Sequence, residues 1–542
     1  MAPNKSNIVN CGFLKNKAIV WFVLFLPVVF MALGGFPLMS YESDADHMIA
    51  GTELSYSSGW TINPVLSYEY NMQPLTHHFI VALRYICPFL STEVIYCLLS
   101  IVAAILFYAG CVALLRVLFK NIHLAWFAIA LFLIPELVAI ATYPNSAILA
   151  AVCWIWGTVL LSKDRAWGVM LLCVAPLFRV DVLIVYPSVP FLFYYQQRGL
   201  RAAISRTAII AAIVAIVVAL SYFLLQANVF AKIDGYNEWN KRTPFISVLL
   251  SIYSFYSLVY FILLPIGITL MIKKREYAML LFTLIPICLL HYFYISMGNA
   301  PKRYLYLVPF VAIFGVYALR WIFSQERKAV IRYSFIVILF LQLFVSVRVD
   351  VPGKPWLNEP TSPLKLGPVV PLYHGTSRNL TVGLGAGQVL PTADEIMVAT
   401  GNAAYPLYVI EYKQSLQQKI NKISQALDSV DGDFDIVWNS WKDQFIYTGM
   451  LIAQGASYTP VSERGFNYTI TDKRKRTIHV YCKVTQGGDD KTYAERVFRE
   501  FSNNPRDVYV VSVVEAHLYT YKQMASQGRL ERINDNVYKL IK

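Results

Sequence analysis

The sequence predicts an α-helical polytopic membrane protein of about eleven transmembrane helices, closed by a C-terminal extracytoplasmic domain of α/β or α+β type. Three observations carry that expectation. Of 542 residues, 57% are hydrophobic and only 15% are charged, where soluble domains carry roughly a quarter charged residues. The apolar residues fall in long blocks up to Asp350, and the composition becomes that of an ordinary soluble domain from Val351 onward. The charge divides the same way. From Val351 there are 22 Lys and Arg against 19 Asp and Glu, leaving 25 against 14 in the first 350 residues, which therefore hold +11 of the net +14.

Spanning a bilayer takes roughly 20 apolar residues. Blocks of that kind lie near Ala18–Leu38, Val94–Phe119, Leu124–Thr142, Ser146–Leu161, Thr207–Leu225, Phe245–Ile272, Tyr277–Met297, Tyr304–Phe323 and Tyr333–Val347. The first is too long for a signal-peptide core and no small-residue cleavage site follows it, so it reads as a retained helix. A further block, Ala166–Tyr195, is broken by Pro176, Arg179, Asp181, Pro187 and Pro190. It is either one long helix or two short ones. Basic residues favour cytoplasmic loops, and this decides between the two. With Lys15 and Lys17 inside, a single crossing would send Arg198, Arg201 and Arg206 outside. Two short crossings keep them inside, together with Arg116, Lys120, Lys163, Arg165, Lys273, Lys274, Arg275, Arg327, Lys328 and Arg332.

That topology puts the N-terminus in the cytoplasm and the C-terminal domain outside, in an integral, multi-pass protein of a plasma or bacterial inner membrane. The membrane body is residues 1–350, with a first outer loop at 39–91; residues 351–375 form a Pro-rich linker and 376–542 the soluble domain. Three segments share the outer side: Met39–Ser91, Ala227–Pro244 and Gly298–Arg303. Arg179 and Asp181 sit there too, as do Glu42, Asp44, Asp46, Glu53 and Glu69. Ionisable residues gathered at one membrane face mark a functional site by default.

The first outer loop reads Tyr41-Glu42-Ser43-Asp44-Ala45-Asp46-His47, then Gly59-Trp60-Thr61-Ile62-Asn63-Pro64, then Tyr70-Asn71-Met72-Gln73-Pro74-Leu75-Thr76-His77-His78. Acidic residues just past the first helix, a Gly-Trp with Pro shortly after, and a Tyr with Pro-Leu opening an apolar helix resemble the corresponding loop of lipid-dependent glycosyltransferases of the GT-C fold class. Protein O-mannosyltransferases and the lipid A aminoarabinose transferase are the relatives in view. Tyr143-Pro144-Asn145-Ser146, Arg179-Val180-Asp181 and Pro301-Lys302-Arg303-Tyr304 echo it more weakly. The resemblance spans residues 15–350.

It implies a polyprenyl-phosphate sugar donor, a glycan, lipid or protein acceptor, and a catalytic aspartate in this loop. The class often has an adjacent acidic pair, whereas this chain has Asp44-Ala45-Asp46, so both Asp44 and Asp46 are candidates, with Asp44 favoured by its distance from the first helix. The chemistry fits. A carboxylate near the attacking oxygen can take the acceptor's proton, and Arg179, Lys302 and Arg303 can stabilise the phosphate that gains charge as it leaves. A direct displacement with one base inverts the anomeric centre. Glu42, Trp60, Tyr70, His77 and His78 are candidates to contact sugar or acceptor.

Each assignment has a plainer alternative. Asp44 and Asp46 can cap a helix. Arg179 can pair with Asp181 as a structural bridge, Lys302 and Arg303 can snorkel as interfacial anchors, and Tyr56, Trp60, Tyr68 and Tyr70 can belong to an aromatic belt. Adjacent helical residues point about 100° apart, so His77 and His78 make a poor metal pair. No metal site and no cofactor are expected, although some members of the fold class use a divalent ion. The eight cysteines show no framework or metal spacing, and basic residues explained by loop orientation imply no nucleic-acid partner.

In the C-terminal domain, strands are expected at Ile396–Ala399, Asp435–Trp438, Thr477–Val484 and Val508–Val514, and helices near Ser415–Leu427, Tyr493–Phe501 and Thr520–Gln527. Lys473-Arg474-Lys475-Arg476 reads as a solvated hairpin or loop. Gly383-Leu384-Gly385-Ala386-Gly387 lacks the spacing of a dinucleotide loop. Asn379 and Asn467 open acceptor sequons. The domain is expected to recognise the acceptor. Two other functions compete: a lipid-linked-glycan flippase or transporter, disfavoured because no internal repeat and few intramembrane charges are present, and a glycan polymerase or ligase, which would put its largest outer loop late among the helices.

Overall fold

The computed structural model describes residues 16–40, 43–62, 68–134, 137, 140–141, 144–228, 245–297, 301–324, 329–344, 406–438, 441–461, 467–482, 490–513 and 515–541. The Pro-rich linker, the expected Ile396–Ala399 strand, the glycine stretch at 383–387, the Asn379 sequon and Glu42 lie outside them.

Helix α1 (Lys17–Gly34) starts at Asn16, whose side chain accepts the Ala18 amide, and ends at Gly35. It is followed by α2 (Ser43–Ser57), a 3-10 turn at Tyr68–Met72 and α3 (Pro74–Ile86). The long α4 (Thr92–Leu118) and short α5 (Leu124–Phe132) come next, then α6 (Ser146–Leu161) and α7 (Trp167–Phe178). The interrupted block Ala166–Tyr195 is two helices and not one: α7 and α8 (Ser188–Arg198), joined by a 3-10 turn at Val180–Ile184. The helical body is completed by α9 (Leu200–Leu224), α10 (Phe245–Lys273), α11 (Tyr277–Met297), a 3-10 turn at Pro301–Leu307, α12 (Val308–Ser324) and α13 (Ala329–Phe344).

Among the described residues, four helices are long and apolar enough to cross a membrane: Lys17–Gly34, Thr92–Leu118, Leu200–Leu224 and Tyr304–Ser324. Shorter apolar helices, Ser146–Leu161 and Trp167–Phe178 among them, stand beside these. They are the helices of an integral membrane protein. Lipid gives apolar side chains no reason to leave it, so such helices associate through close packing and small residues. The α6–α7 pair shows this. A Cβ on Gly168 would stand 2.6 Å from the Gly157 carbonyl oxygen, and one on Gly157 would meet Leu172 at 2.8 Å.

The C-terminal domain opens with α14 (Pro406–Asp428) and builds a seven-stranded mixed sheet in the order β2-β3-β4-β1-β5-β7-β6. Strands β1 (Phe434–Trp438), β4 (Thr477–Cys482) and β5 (Asp507–Val511) are parallel at its centre. Antiparallel neighbours β2 (Ser457–Pro460), β3 (Tyr468–Thr471), β6 (Leu530–Arg532) and β7 (Val537–Leu540) extend both edges. Helices α15 (Trp441–Ala453), α16 (Asp490–Phe501) and α17 (Glu515–Ser526) make the connections.

Alternation along β1 splits the core. Phe434, Ile436 and Trp438 join one apolar cluster, and Val437 joins a second with Val497, Leu518 and Tyr521. The first cluster is continuous with the membrane body, since it also contains Leu416, Ile420, Phe445, Met31 and Trp154. The sheet therefore presents one face to α14, α15 and the membrane helices, and the other to α16 and α17. The basic hairpin is only partly solvated: Lys473, Arg474 and Lys475 are exposed, but Arg476 is buried and pairs with Asp472 at 2.7 Å.

Candidate functional site

Helix α2 was expected as loop. Its opening Ser43-Asp44-Ala45-Asp46 places oxygen-bearing and acidic side chains in the first turn, where free amides and the helix dipole favour them. Both long sides of α2 are covered. Ala45, Met48 and Ile49 cluster with Ile80, Ile95 and Tyr96 of α3 and α4. On the other side the ring of His47 meets Phe445 of α15 edge-on at 4.3 Å, and Ala50 lies against Gly449. Asp46, between them in sequence, is 1% exposed. The Asp44 side chain lies outside the described residues.

The link from α1 into α2 is held from two directions. The Ser40 amide donates to Glu93 Oε1 at 2.8 Å. Lys413 of α14 donates from Nζ to the carbonyls of Gly35 (3.1 Å) and Pro37 (3.3 Å). Glu53, counted above among the outer acids, is committed to structure: its Oε1 accepts the Thr92 amide at the start of α4 (2.9 Å) and pairs with Arg84 (3.3 Å).

His77 and His78 diverge as helix geometry requires. His77 is fully buried, with Nε2 3.1 Å from Ser55 Oγ and Nδ1 3.5 Å from Thr52 Oγ1. Ser55 gives its own proton to the Thr61 carbonyl, so His77 Nε2 is the donor. Burial first, and His78 second, pull the His77 imidazole down to about 3. His78 accepts the Trp60 indole N–H at Nδ1 (3.1 Å), so its proton is on Nε2, which donates to Tyr70 Oη (3.0 Å). Tyr70 in turn donates to the Leu225 carbonyl at 2.7 Å, and burial pushes its hydroxyl up to about 12. A single file of hydrogen bonds thus runs from Trp60 to the end of α9. Trp60 itself stacks on Tyr85 at 5.4 Å and holds a φ of 71°, a left-handed backbone uncommon outside glycine.

The third group sits where α7 breaks at Pro176–Arg179. Arg179 is 2% exposed; its Nε donates to Asp181 Oδ2 at 2.9 Å and its Nη1 to Ser146 Oγ at 3.2 Å. Tyr306 donates to the other Asp181 oxygen at 2.9 Å. Tyr306 belongs to the 3-10 turn Pro301–Leu307, so the turn that carries Lys302 and Arg303 is anchored on Asp181. The Lys302 and Arg303 side chains lie outside the described residues. Thr76 at the start of α3 donates to the Phe178 carbonyl at 2.9 Å, which joins the histidine helix to the arginine.

No family model matches the chain, and no curated protein matches it. Among solved structures, the crystal structure of ArnT from Cupriavidus metallidurans in the apo state aligns over 97% of this chain and 98% of its own, at 12% identity and a TM-score of 0.50. The chain shares the ArnT fold. ArnT is a lipid A aminoarabinose transferase of the GT-C fold, so the fold class read from the first loop is the one found. ArnT bound to undecaprenyl phosphate aligns over the same shares at 11% identity and a TM-score of 0.47.

The structure therefore brings the Asp46 helix, the histidine helix, Arg179 and the Lys302–Arg303 turn into one chain of contacting elements. Trp60 and Tyr70 join it through His78. Tyr306, Glu93 and Lys413 escaped sequence reasoning, and Ser146 was read as part of the Tyr143–Ser146 echo but not as a partner of Arg179. For Tyr306 a signal existed, since it follows Pro301-Lys302-Arg303 within one turn. For Lys413 there was none.

Proposed function

We propose that the protein is a membrane glycosyltransferase that moves a sugar from a polyprenyl-phosphate donor to a glycan, lipid or protein acceptor at the extracytoplasmic face. The observation that carries this is the acidic turn of α2: it directly follows the first membrane helix and places Asp46 in a buried position, in a chain whose whole length follows the ArnT fold. Under this reading Asp44 or Asp46 takes the acceptor proton. The freed oxygen attacks the anomeric carbon, the bond to phosphate oxygen breaks, and polyprenyl phosphate leaves with the electron pair. One displacement inverts the configuration.

Arg179, Lys302 and Arg303 are, under this reading, the cations that stabilise the leaving phosphate. Pairing with Asp181 offsets part of the Arg179 charge, which leaves the larger share of phosphate stabilisation to Lys302 and Arg303. His77 and His78 are held neutral by burial and hold the walls of the site rather than an ion. The orientation follows the basic loops, with the N-terminus inside and the C-terminal domain outside.

The test is incubation of the purified full-length protein, in liposomes, with a panel of synthetic polyprenyl-phosphate sugars and cell-envelope extract as acceptor. Release of free polyprenyl phosphate with one sugar of the panel is expected. Lipid translocation across the vesicle without consumption of any donor would establish the flippase alternative instead.

A further inference from the structure

We propose that Lys413, supplied by the C-terminal domain, is a positioning residue for the acidic turn of α2, fixing the link through which α1 enters that helix. The inference deepens the glycosyltransferase reading and rests on it for its kinetic consequence.

Lys413 is 0% exposed. An ammonium withdrawn from water is costly unless its protons find acceptors. Here two of them take the carbonyls of Gly35 and Pro37 at 3.1 and 3.3 Å, just past the C-terminal end of α1, where the helix dipole favours a cation. Burial pulls the Lys413 ammonium down to about 8, against the opposing pull of Cys97 and Glu93 on α4. From the far side of the link, Glu93 holds the Ser40 amide at 2.8 Å.

Residues 35–40 are thus bound at three backbone points by two side chains from different parts of the chain, and Asp44 and Asp46 follow within one or two helical turns. The C-terminal domain then supports α2 a second time, through Phe445 on His47 and Gly449 on Ala50. An apolar side chain would fill the Lys413 space at less desolvation cost. What the ammonium adds is direction, by fixing two carbonyls. Buried as it is, Lys413 meets no substrate, and its influence on transfer runs through the placement of α2. The domain would therefore be part of the site's framework, beyond any role in acceptor recognition.

Lys413→Met and Lys413→Arg variants of the full-length protein in liposomes test this. In Lys413→Met, deuterium uptake should rise in the peptide covering residues 35–50 while distant peptides such as 146–161 keep wild-type uptake. Its kcat for polyprenyl-phosphate release should fall roughly tenfold to a hundredfold, the scale of a small misplacement of catalytic groups, with KM for the lipid donor within about twofold. Lys413→Arg, which keeps the donors, should recover most of both. Where Lys413→Met does not reach the membrane, Lys413→Gln is read by the same two measurements. Unchanged uptake at 35–50, or increased uptake spread over the whole chain with kcat unchanged, would overturn the proposal. If the wild-type protein consumes no lipid-linked sugar, the glycosyltransferase reading fails, and uptake at 35–50 still decides whether Lys413 fixes the link.

Discussion

The buried pair of Arg179 and Asp181 shows how the site ties its parts together at the scale of single residues. Removing one partner of such a pair strands the other charge in the interior, which costs about 3–5 kcal/mol, whereas replacing both with apolar groups is often nearly neutral. Arg179→Met should therefore lower the melting temperature more than the Arg179→Met/Asp181→Leu double variant does; a double variant that melts lower still would show that the pair is no unit. Tyr306→Phe removes one bond to a charged acceptor and should cost about 2 kcal/mol, with the Lys302–Arg303 turn loosened as seen by deuterium uptake. The buried imidazoles set a pH dependence. His77 and His517 are each pulled down to about 3 by burial, from an ordinary 6.5. Between those values the unfolded chain binds protons that the folded chain refuses. The stability they contribute is full above pH 6.5 and is lost as pH falls toward 3. Melting in detergent should accordingly drop steadily from pH 7 to pH 4, and His77→Gln should flatten part of that slope. An unchanged melting temperature over this range would contradict the burial of both rings. Of these pairings, the Arg179–Asp181 bridge alone was legible in the sequence. Arg179 and Asp181 were visible as a possible bridge because they are two residues apart, but Ser146 and Tyr306 lie 33 and 125 residues from them.

Elements were legible where one physical signal dominated. Ser146–Leu161 has the same bounds in sequence and structure because it is apolar throughout, opens after Asn145, whose side chain accepts the Ala147 amide, and ends in a polar run. The division of Ala166–Tyr195 into α7 and α8 was legible from the prolines and charged residues that interrupt its apolar run. Helix α2 was not, because a helix buried on two sides carries apolar residues without a single stripe, and its acids dilute the pattern further. The outer strands β2, β3, β6 and β7 span three or four residues each, too short for alternation to register. Helix α15 hides for another reason. It contacts α2 and the sheet at once, so its periodicity serves two surfaces. Close packing at element scale yields its own test: Gly168→Leu forces a side chain where the Gly157 carbonyl already stands at 2.6 Å, and should destabilise the α6–α7 pair by about 1–3 kcal/mol. Wild-type melting in that variant would mean the two helices are less closely packed than described.

At the scale of the whole molecule, one apolar core is shared by the membrane helices and one face of the C-terminal sheet, a continuity that composition concealed. The change of composition at Val351 suggested two parts joined by a Pro-rich linker, yet Leu416, Ile420 and Phe445 pack into the same cluster as Met31 and Trp154. Such long-range contacts leave no trace in a sequence, because they depend on which faces the fold happens to bring together. Orientation across the membrane is tested separately. A cysteine placed between Arg198 and Arg206 should resist impermeant thiol reagents applied from outside, and labelling there would reverse the sidedness assigned to Arg179. The central claim, that an acidic residue at the start of α2 takes the acceptor proton in transfer from a lipid-linked sugar, has a direct measurement. Polyprenyl-phosphate release by the purified protein is compared with that of Asp44→Asn and Asp46→Asn, each checked for wild-type melting. Loss of a general base lowers rates by roughly a hundredfold or more, so one of the two variants should lose kcat on that scale. Wild-type turnover in both would contradict the account.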